Sequence, residues 1–546
     1  MELIKVESLS FTYPNCEAPA ISGVSFTAES GSFNVLCGAT GCGKSTLLRL
    51  FKRELTIQGS RSGRILFCGR DVNELSAGES ASKIGFVMQD PEQQIVTDKV
   101  WHELAFGLES LGTSEDVIAR RTAEMASYFG IGEWYDRDTA QLSGGQKQLL
   151  NLASIMVMQP ELLILDEPTA QLDPVAASDF ISTLRKLNDD FGITIIIAEH
   201  RLEEVIPICS ELMIMSRGKL IAQGEPRRVV AELEAPDIML GMPSAARLFR
   251  ELGTSGRCPL TVREGRELLA KGYSNDVRNI EENEYTHSPD AALEFRDVYF
   301  RYSKGSPDVL RGLNMKVYTG EAVCILGGNG SGKTTSLCSA AGLLRPYSGS
   351  VSIFGKKLRD YKNQSLYRGC LAMLPQDVRT VFLKNSVREE LADSGIAPDE
   401  LPFSLDEVLD SHPYDLSGGQ MQLAALAKVL AVKPRLLLLD EPTKALDPAA
   451  KRNIARVIAN LKSSGMTVVI VTHDIEFAAQ CADRCMLFFN GRIVSQGTPR
   501  VFFSGSSFYT TAISRMTRGF FDNAATVEDA VELCRRNGVR HDSDKK

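Results

Sequence analysis

Apolar and polar positions alternate at the start of the chain, where Leu9, Phe11 and Tyr13 share one side of a period-two pattern. That period marks a half-buried strand. Phe300 and Tyr302 repeat it in the second half. Short, largely apolar runs, such as LLIL at 162–165 and ITIIIA at 193–198, read as strands buried on both faces. From each alternating start the order is the same: an apolar strand enters a glycine-rich loop and a helix leaves it. A helical stretch follows, then a second glycine element and a buried strand ending in Asp-Glu. A last apolar strand ends at His200 in one half and at His473 in the other. Strands alternating with helices predict an α/β fold. Each half is then a mainly parallel sheet with flanking helices, an antiparallel β part at its start and a helical subdomain.

The halves are duplicates. GATGCGKST begins at Gly38 and GGNGSGKTT at Gly327, 289 positions later. LSGGQ begins at Leu142 and Leu416, and LLILDEPT and LLLLDEPT place Asp166 against Asp440, both 274 positions apart. The second half has therefore lost about 15 residues between its first two landmarks. The expected domains are 1–235, a helical extension and linker at 236–291, a second domain at 292–500 and a C-terminal extension at 501–546. Within the linker, EENEYTHSPDAA at 281–292 is polar and aperiodic. RHDSDKK at 540–546 reads as a solvated tail.

A chain of 546 residues is too long for one ordinary core. The net charge of −8 argues against a nucleic-acid binder. No apolar run approaches the roughly 18 residues of a membrane span, and the N-terminus lacks a signal peptide's basic start and apolar middle. Twelve cysteines show no framework spacing. Cys481 and Cys485 could share a helix face, but no further ligands complete a metal set, so reduced thiols are the expectation.

The pattern G-x-x-x-x-G-K-[ST] occurs twice, as Gly38, Ala39, Thr40, Gly41, Cys42, Gly43, Lys44, Ser45, Thr46 and as Gly327, Gly328, Asn329, Gly330, Ser331, Gly332, Lys333, Thr334, Thr335. Its glycines let backbone N–H groups curl around phosphate oxygens, with the following helix N-terminus adding a favourable dipole. Lys44 and Lys333 would reach the terminal phosphates, and Ser45 and Thr334 would bind Mg²⁺. From average residue usage a chance match in a chain this long is roughly a 2% event, so two matches at corresponding places exclude coincidence. Asp166 and Asp440 end apolar strands and offer carboxylates to the same metal. Glu167 and Glu441, next in sequence, can polarise a water for in-line attack on a γ-phosphate. An acid pair that only caps a loop is the blander reading, and the shared context of both copies weighs against it. Gln89 and Gln376 each follow an apolar strand, where an amide can touch the metal or the attacking water. His200 and His473 could bond the γ-phosphate. Tyr13 and Tyr302 each lie 25 residues before their glycine loop, where a ring can stack on a base.

Taken together, these landmarks, with LDP at 172–174 and 446–448, resemble the ATP-binding-cassette ATPases over about residues 1–235 and 292–500. The resemblance implies two P-loop NTPase cassettes that bind ATP and Mg²⁺ and hydrolyse ATP. It also implies that each ATP lies between the P-loop of one cassette and the LSGGQ of the other. Ser143, Gly144, Gly145 and Gln146 would then complete the site of Lys333, and Ser417, Gly418, Gly419 and Gln420 the site of Lys44. Within the family, QDPEQQIVTDKVWHELAFGLESLG at 89–112 and AEHRLEE at 198–204 are similar to the ATPases of energy-coupling factor importers, which move vitamins or transition-metal ions. That likeness implies a peripheral protein on the cytoplasmic face of the cell membrane. Its partners would be integral membrane subunits, a coupling subunit and a substrate-binding subunit, contacting the region around Gln89.

Departures are visible too: Arg201 stands where the second half has Asp474, Ala170 and Lys444 replace a common serine, and DVRTVF follows Gln376 where DPEQQIV follows Gln89. The halves are therefore expected to be unequal in turnover or in partner contact. Two alternatives carry less. A soluble tandem cassette acting on ribosomes or nucleic acid usually has a long charged connector or Cys-x-x-Cys zinc modules. The fused ATPase of a sugar importer often has a degraded second site, whereas Lys333, Asp440 and Glu441 are intact here.

Overall fold

Five strands of the first half run parallel in one sheet, and this decides where the chemistry can sit. In the computed structural model, which describes residues 2–14, 16–272, 279–281, 285–362 and 364–538, the sheet order is Lys219–Gly224, Glu211–Ser216, Phe33–Gly38, Thr194–Ala198, Leu162–Asp166, Ile84–Val87. Phe33–Gly38 pairs in parallel with both its neighbours, and only Lys219–Gly224 is antiparallel. All residues of Phe33–Gly38, Leu162–Asp166 and Thr194–Ala198 are buried, as expected for strands covered on both faces. A second, antiparallel sheet, ordered Ile21–Glu29, Glu2–Thr12, Ser60–Phe67, Arg70–Asp71, is built from the alternating start. Its inward residues Ile4, Val6, Leu9 and Phe11 join Leu47, Leu48 and Phe51 in one core.

The second half repeats the plan. Its main sheet runs Leu371–Leu374, Leu436–Asp440, Thr467–Val471, Ala322–Leu326, Arg484–Phe489, Arg492–Gly497, and its antiparallel sheet begins with Leu310–Tyr318 and Ala291–Phe300. The missing stretch can be located. The first half carries helices Val100–Ser110 and Glu115–Tyr128 ahead of its LSGGQ. The second has Val387–Ser394 followed by the single turns Pro398–Glu400 and Asp406–Val408.

The chain divides into two compact units, Met1–Pro243 and Ser244–Lys546. Residues 244–272, expected in a separate extension and linker, thus belong with the second unit. Residues 282–284 of the expected linker and the tail at 540–546 lie outside the described residues. Cys481 closes the helix Ile475–Cys481, whereas Cys485 lies on a strand, so the two do not share a helix face.

Beyond the nucleotide-binding halves the duplication continues. TVREGRELLAKG at 261–272 and TVEDAVELCRRN at 526–537 form the helices Val262–Gly272 and Val527–Asn537. Each begins with the same reciprocal cap: Thr261 Oγ1 accepts from Glu264 N while Thr261 N donates to the Glu264 carboxylate, and Thr526 and Asp529 do likewise. Such boxes satisfy two of the helix's orphan N–H groups. With Ser244–Glu251 and Ala512–Thr517 they enclose a small core of Ala245, Leu248, Leu269, Ile513, Met516, Ala530 and Leu533. In each pair the long helix packs on the short helix of the other pair.

This four-helix core predicts that its two sequence segments unfold together. Leu269→Ala removes a fully buried side chain, a loss of about 2–5 kcal/mol. Amide hydrogen exchange should then accelerate in both Val262–Gly272 and Val527–Asn537; unchanged protection of the latter would show that the segments are energetically separate.

Candidate active site

Gly38 ends the central strand and turns the chain into the first glycine loop. Its φ is 153°, and a Cβ there would lie 2.2 Å from the Met215 carbonyl oxygen and 2.8 Å from Cys42 Sγ. Gly43, at φ 104°, starts the helix Lys44–Arg49 with no side-chain cap, so its first N–H groups remain available. Lys44 is buried, and its Nζ folds back to donate to the carbonyls of Gly38 at 3.0 Å and Ala39 at 3.2 Å. Lys333 does the same toward Gly327 and Gly328, at 2.9 and 3.0 Å. The hydroxyl of Ser331, inside the second loop, is buried without a hydrogen-bond partner. A buried cation, uncapped N–H groups and an orphaned donor fit a polyphosphate.

Beside each loop stands a hydroxyl–carboxylate pair. Ser45 Oγ donates to Asp166 Oδ1 at 2.9 Å, and Thr334 Oγ1 to Asp440 Oδ1 at 3.2 Å. Burial, with the charge of Glu167 adding to it, pushes the Asp166 carboxyl up to about 6. Burial pushes Asp440 up to about 6 as well, against the Thr334 hydrogen bond and helped by Glu441. Hydroxyl and carboxylate oxygens are hard donors, the set Mg²⁺ prefers.

Glu167 and Glu441 have φ values of 46° and 50°, a conformation that costs a side-chain-bearing residue about 1–3 kcal/mol and that clusters at functional sites. Around the Glu167 carboxylate lie Gln89 Nε2 at 2.9 Å, His200 Nε2 at 2.9 Å and Lys44 Nζ at 3.8 Å. The second site differs. Glu441 meets His473 Nδ1 at 2.9 Å, and Gln376 is exposed and does not reach it. Burial opposes the Glu441 charge, but the His473 hydrogen bond and charge, with Lys333, hold its carboxyl below the usual range.

The expected base-stacking tyrosines are fixed alike. Tyr13 OH is 2.8 Å from Thr46 Oγ1, and Tyr302 OH is 3.1 Å from Thr335 Oγ1. Both rings are solvent-exposed and braced edge-on, by Phe11 and Phe300.

The LSGGQ serines are helix caps. Ser143 and Gln146 form a reciprocal box at the start of Gly144–Met156, and Ser417 and Gln420 one at the start of Gly418–Leu430. A Cβ added at Gly144 would meet nothing within 4 Å. Neither local packing nor backbone conformation requires glycine there, although glycine weakens a helix by about 1 kcal/mol relative to alanine. From the first signature helix, Gln148 reaches the Met88 carbonyl and Asn151 the Pro91 carbonyl, tying it to the loop of Gln89. Asp173 and Asp447, of the two LDP triplets, cap the helices Pro174–Phe191 and Pro448–Ser463.

Sequence reasoning passed over Glu199. This buried residue precedes His200, and its carboxylate accepts from Thr169 N at 3.0 Å and Thr169 Oγ1 at 2.7 Å. Burial raises its pKa, against the Thr169 bonds and with Glu167 adding to the rise. Its one visible signal is Glu-His in the first half against Thr-His in the second.

The geometry at Gly38 makes a sharp expectation. Gly38→Ala places a methyl group against a backbone oxygen and should destabilise the first unit by at least about 1–3 kcal/mol, read as a lowered thermal midpoint. An unchanged midpoint would show that the loop can move aside.

Comparison with known proteins bears on the same residues. The family profile described as ABC transporter matches residues 21–170 and again 310–444. Among curated relatives, a protein of Bacillus thuringiensis subsp. konkukian, provisionally named an ABC transporter ATP-binding protein, is 39% identical over 98% of this chain and 99% of its own. A similarly named protein of Streptomyces coelicolor is 34% identical over 91% of this chain and 94% of its own. Among solved structures, the archaeal ribosome recycling factor aABCE1, in complex with the ribosomal stalk protein aP1, aligns over 91% of both chains with a TM-score of 0.58 and 18% identity, a likeness of fold. The two profile matches and the full-length relatives place this chain in the ABC transporter family, as an ATP hydrolase with two ATP-binding cassettes fused in one polypeptide.

Proposed function

We propose that this ATPase powers the import of a small solute, of the vitamin or metal-ion class, through separate integral membrane subunits, and that its two ATP sites are each shared between the cassettes. The observation that carries the transport reading is the likeness, over nearly the whole chain, to a protein whose name makes it the ATP-binding component of a transporter. No helix among the described residues is long and apolar enough to cross a membrane, so the path for the solute is assigned to partners. A coupling subunit and a substrate-binding subunit would hold the ATPase at the cytoplasmic face. The coupling subunit would seat beside the Gln89 loop, whose acids are already engaged: Asp90 caps the turn Pro91–Gln93 and Glu92 pairs with Lys147 at 2.5 Å.

In this reading Gly38–Ser45 and Gly327–Thr334 hold the phosphates, and Ser45 with Asp166, and Thr334 with Asp440, hold Mg²⁺, with Gln89 and Gln376 as further metal- or water-facing groups. Bound Mg²⁺ would neutralise charge on the β- and γ-phosphates. Glu167 and Glu441 take the proton of the attacking water. His200 and His473, 2.9 Å away, orient those carboxylates and can donate toward the γ-phosphate. Tyr13 and Tyr302 stack on adenine. The glycines at 144, 145, 418 and 419 leave helix N-termini open to a phosphate held by the other cassette, which accounts for a glycine at 144 that its own unit does not need.

The partner reading is tested by purifying the tagged chain from solubilised membranes. Small integral membrane proteins should co-purify in fixed ratio. Recovery with ribosomes instead would overturn the importer reading in favour of a soluble tandem cassette.

Because the cassettes are tethered, each meets the other at an effective concentration of order mM. Specific ATPase activity should therefore be flat across protein concentration, and a steep rise would mean that the active form assembles between chains.

Crossed sites are tested with Glu167→Gln, which should slow hydrolysis at the first site by roughly 10²–10⁴-fold and leave ATP occluded there. Gly418→Asp should release that ATP, and Gly144→Asp should not. An aspartate at a helix N-terminus favours the helix dipole, so the loss cannot be ascribed to unwinding. Retained ATP after rapid desalting is the readout, and the reverse pattern would show that each cassette uses its own LSGGQ.

A further inference from the structure

Each half anchors its histidine to the segment that follows the catalytic glutamate, and the two halves do so with different chemistry. In the second half Asp474 N donates to Thr472 Oγ1 at 3.0 Å, and the Asp474 carboxylate pairs at 2.5 Å with Lys451 on the helix Pro448–Ser463. In the first half Arg201 replaces Asp474, Ala177 stands 274 positions before Lys451, and Glu199 replaces Thr472. The two positions are structurally equivalent: Glu199 N donates to the Leu36 carbonyl as Thr472 N does to the Ile325 carbonyl.

Four donors converge on the Glu199 carboxylate. Oε1 accepts both Thr169 bonds, while Oε2 accepts from His200 N at 3.2 Å and Arg201 N at 3.5 Å. Thr169 lies two residues beyond Glu167 and is itself buried. One carboxylate therefore clamps the backbone that carries His200 to the backbone that carries Glu167, whose side chains meet at 2.9 Å. No atom of this clamp touches the glycine loop in any of these bonds.

We infer that Glu199 is a positioning residue of the first ATP site. By joining Thr169 to the His200 backbone it fixes the Glu167–His200 pair, a task that Asp474 and Lys451 perform in the second site. The inference rests on the reading of Glu167 and His200 as working groups. It implies that the two sites keep their geometry by independent means, so that each can be loosened without the other.

Glu199→Gln is the direct probe. The amide keeps the size and one acceptor oxygen, but its NH₂ would face the His200 and Arg201 N–H groups, donor against donor. Steady-state ATPase of the full chain should show kcat at half the wild-type value or below, with KM changed by less than about two-fold and the thermal midpoint within about 2 °C. Thr169→Val removes the 2.7 Å bond and should act alike, while Thr169→Ser, which keeps the hydroxyl, should restore turnover; this pair carries the test if Glu199→Gln does not fold. A kcat above half of wild type, or a loss in which KM and thermal midpoint move together with kcat, would overturn the inference. Glu167→Gln separates this failure from that of the site reading: if it too keeps more than half of the wild-type kcat the reading itself is wrong, and if it falls to half or below while Glu199→Gln does not, only the positioning role falls.

Discussion

Parallel pairing of four adjacent strands is the constraint on which the site depends. Ile84–Val87, Leu162–Asp166, Thr194–Ala198 and Phe33–Gly38 run the same way, so their carboxyl ends deliver Gln89, Asp166 with Glu167, His200 and the glycine loop to one edge. Ligand sites of open α/β sheets form at such an edge. Register matters as much as direction. Asp166 pairs with Ala198, and Glu167 N donates to the Ala198 carbonyl at 2.9 Å, which helps hold Glu167 in its left-handed conformation. Glu441 is held in the same way by Val471 at 2.8 Å. A one-residue slip of the strand would turn Asp166 away from Ser45.

The same burial that makes the sheet stable makes the site costly without its ligands. Lys44, Lys333, Asp166, Asp440, Glu167 and Glu441 are all largely removed from water, and this burial pushes the Asp166 and Asp440 carboxyls up to about 6. Isolated buried charge is expensive unless paired, and here each lysine bonds to loop carbonyls, with the Glu167 carboxylate 3.8 Å from Lys44. Polyphosphate and a divalent cation would complete the pairing. The halves meet this demand unequally: Gln89 reaches Glu167, whereas Gln376 does not reach Glu441, and the histidines present different ring nitrogens.

How legible all this was depended on range. The glycine loops, the helix caps within LSGGQ and the strand-ending Asp-Glu pairs are local chemistry, written in residues a few positions apart. The mainly parallel character of the sheets follows from short buried runs alternating with helices. By contrast, the four-helix core joins segments some 265 positions apart through short helices, and the matching threonine caps at 261 and 526 were its only local trace. Glu199 escaped for a different reason: a glutamate before a histidine reads as loop charge, and only the fold reveals the Thr169 donors that meet it. The exposure of Gln376 was likewise invisible, because its strand and landmark match those of Gln89 and the divergence lies in the loop that follows.

The central claim is that one chain builds two ATP sites from its own two cassettes. Counting occluded nucleotide in a chain carrying both Glu167→Gln and Glu441→Gln tests it most directly. Purified as a monomer in the presence of Mg²⁺ and ATP, then stripped of free nucleotide, each chain should retain two ATP molecules. Retention of one or none by the monomer, with two recovered only in a species of twice the mass, would contradict the account.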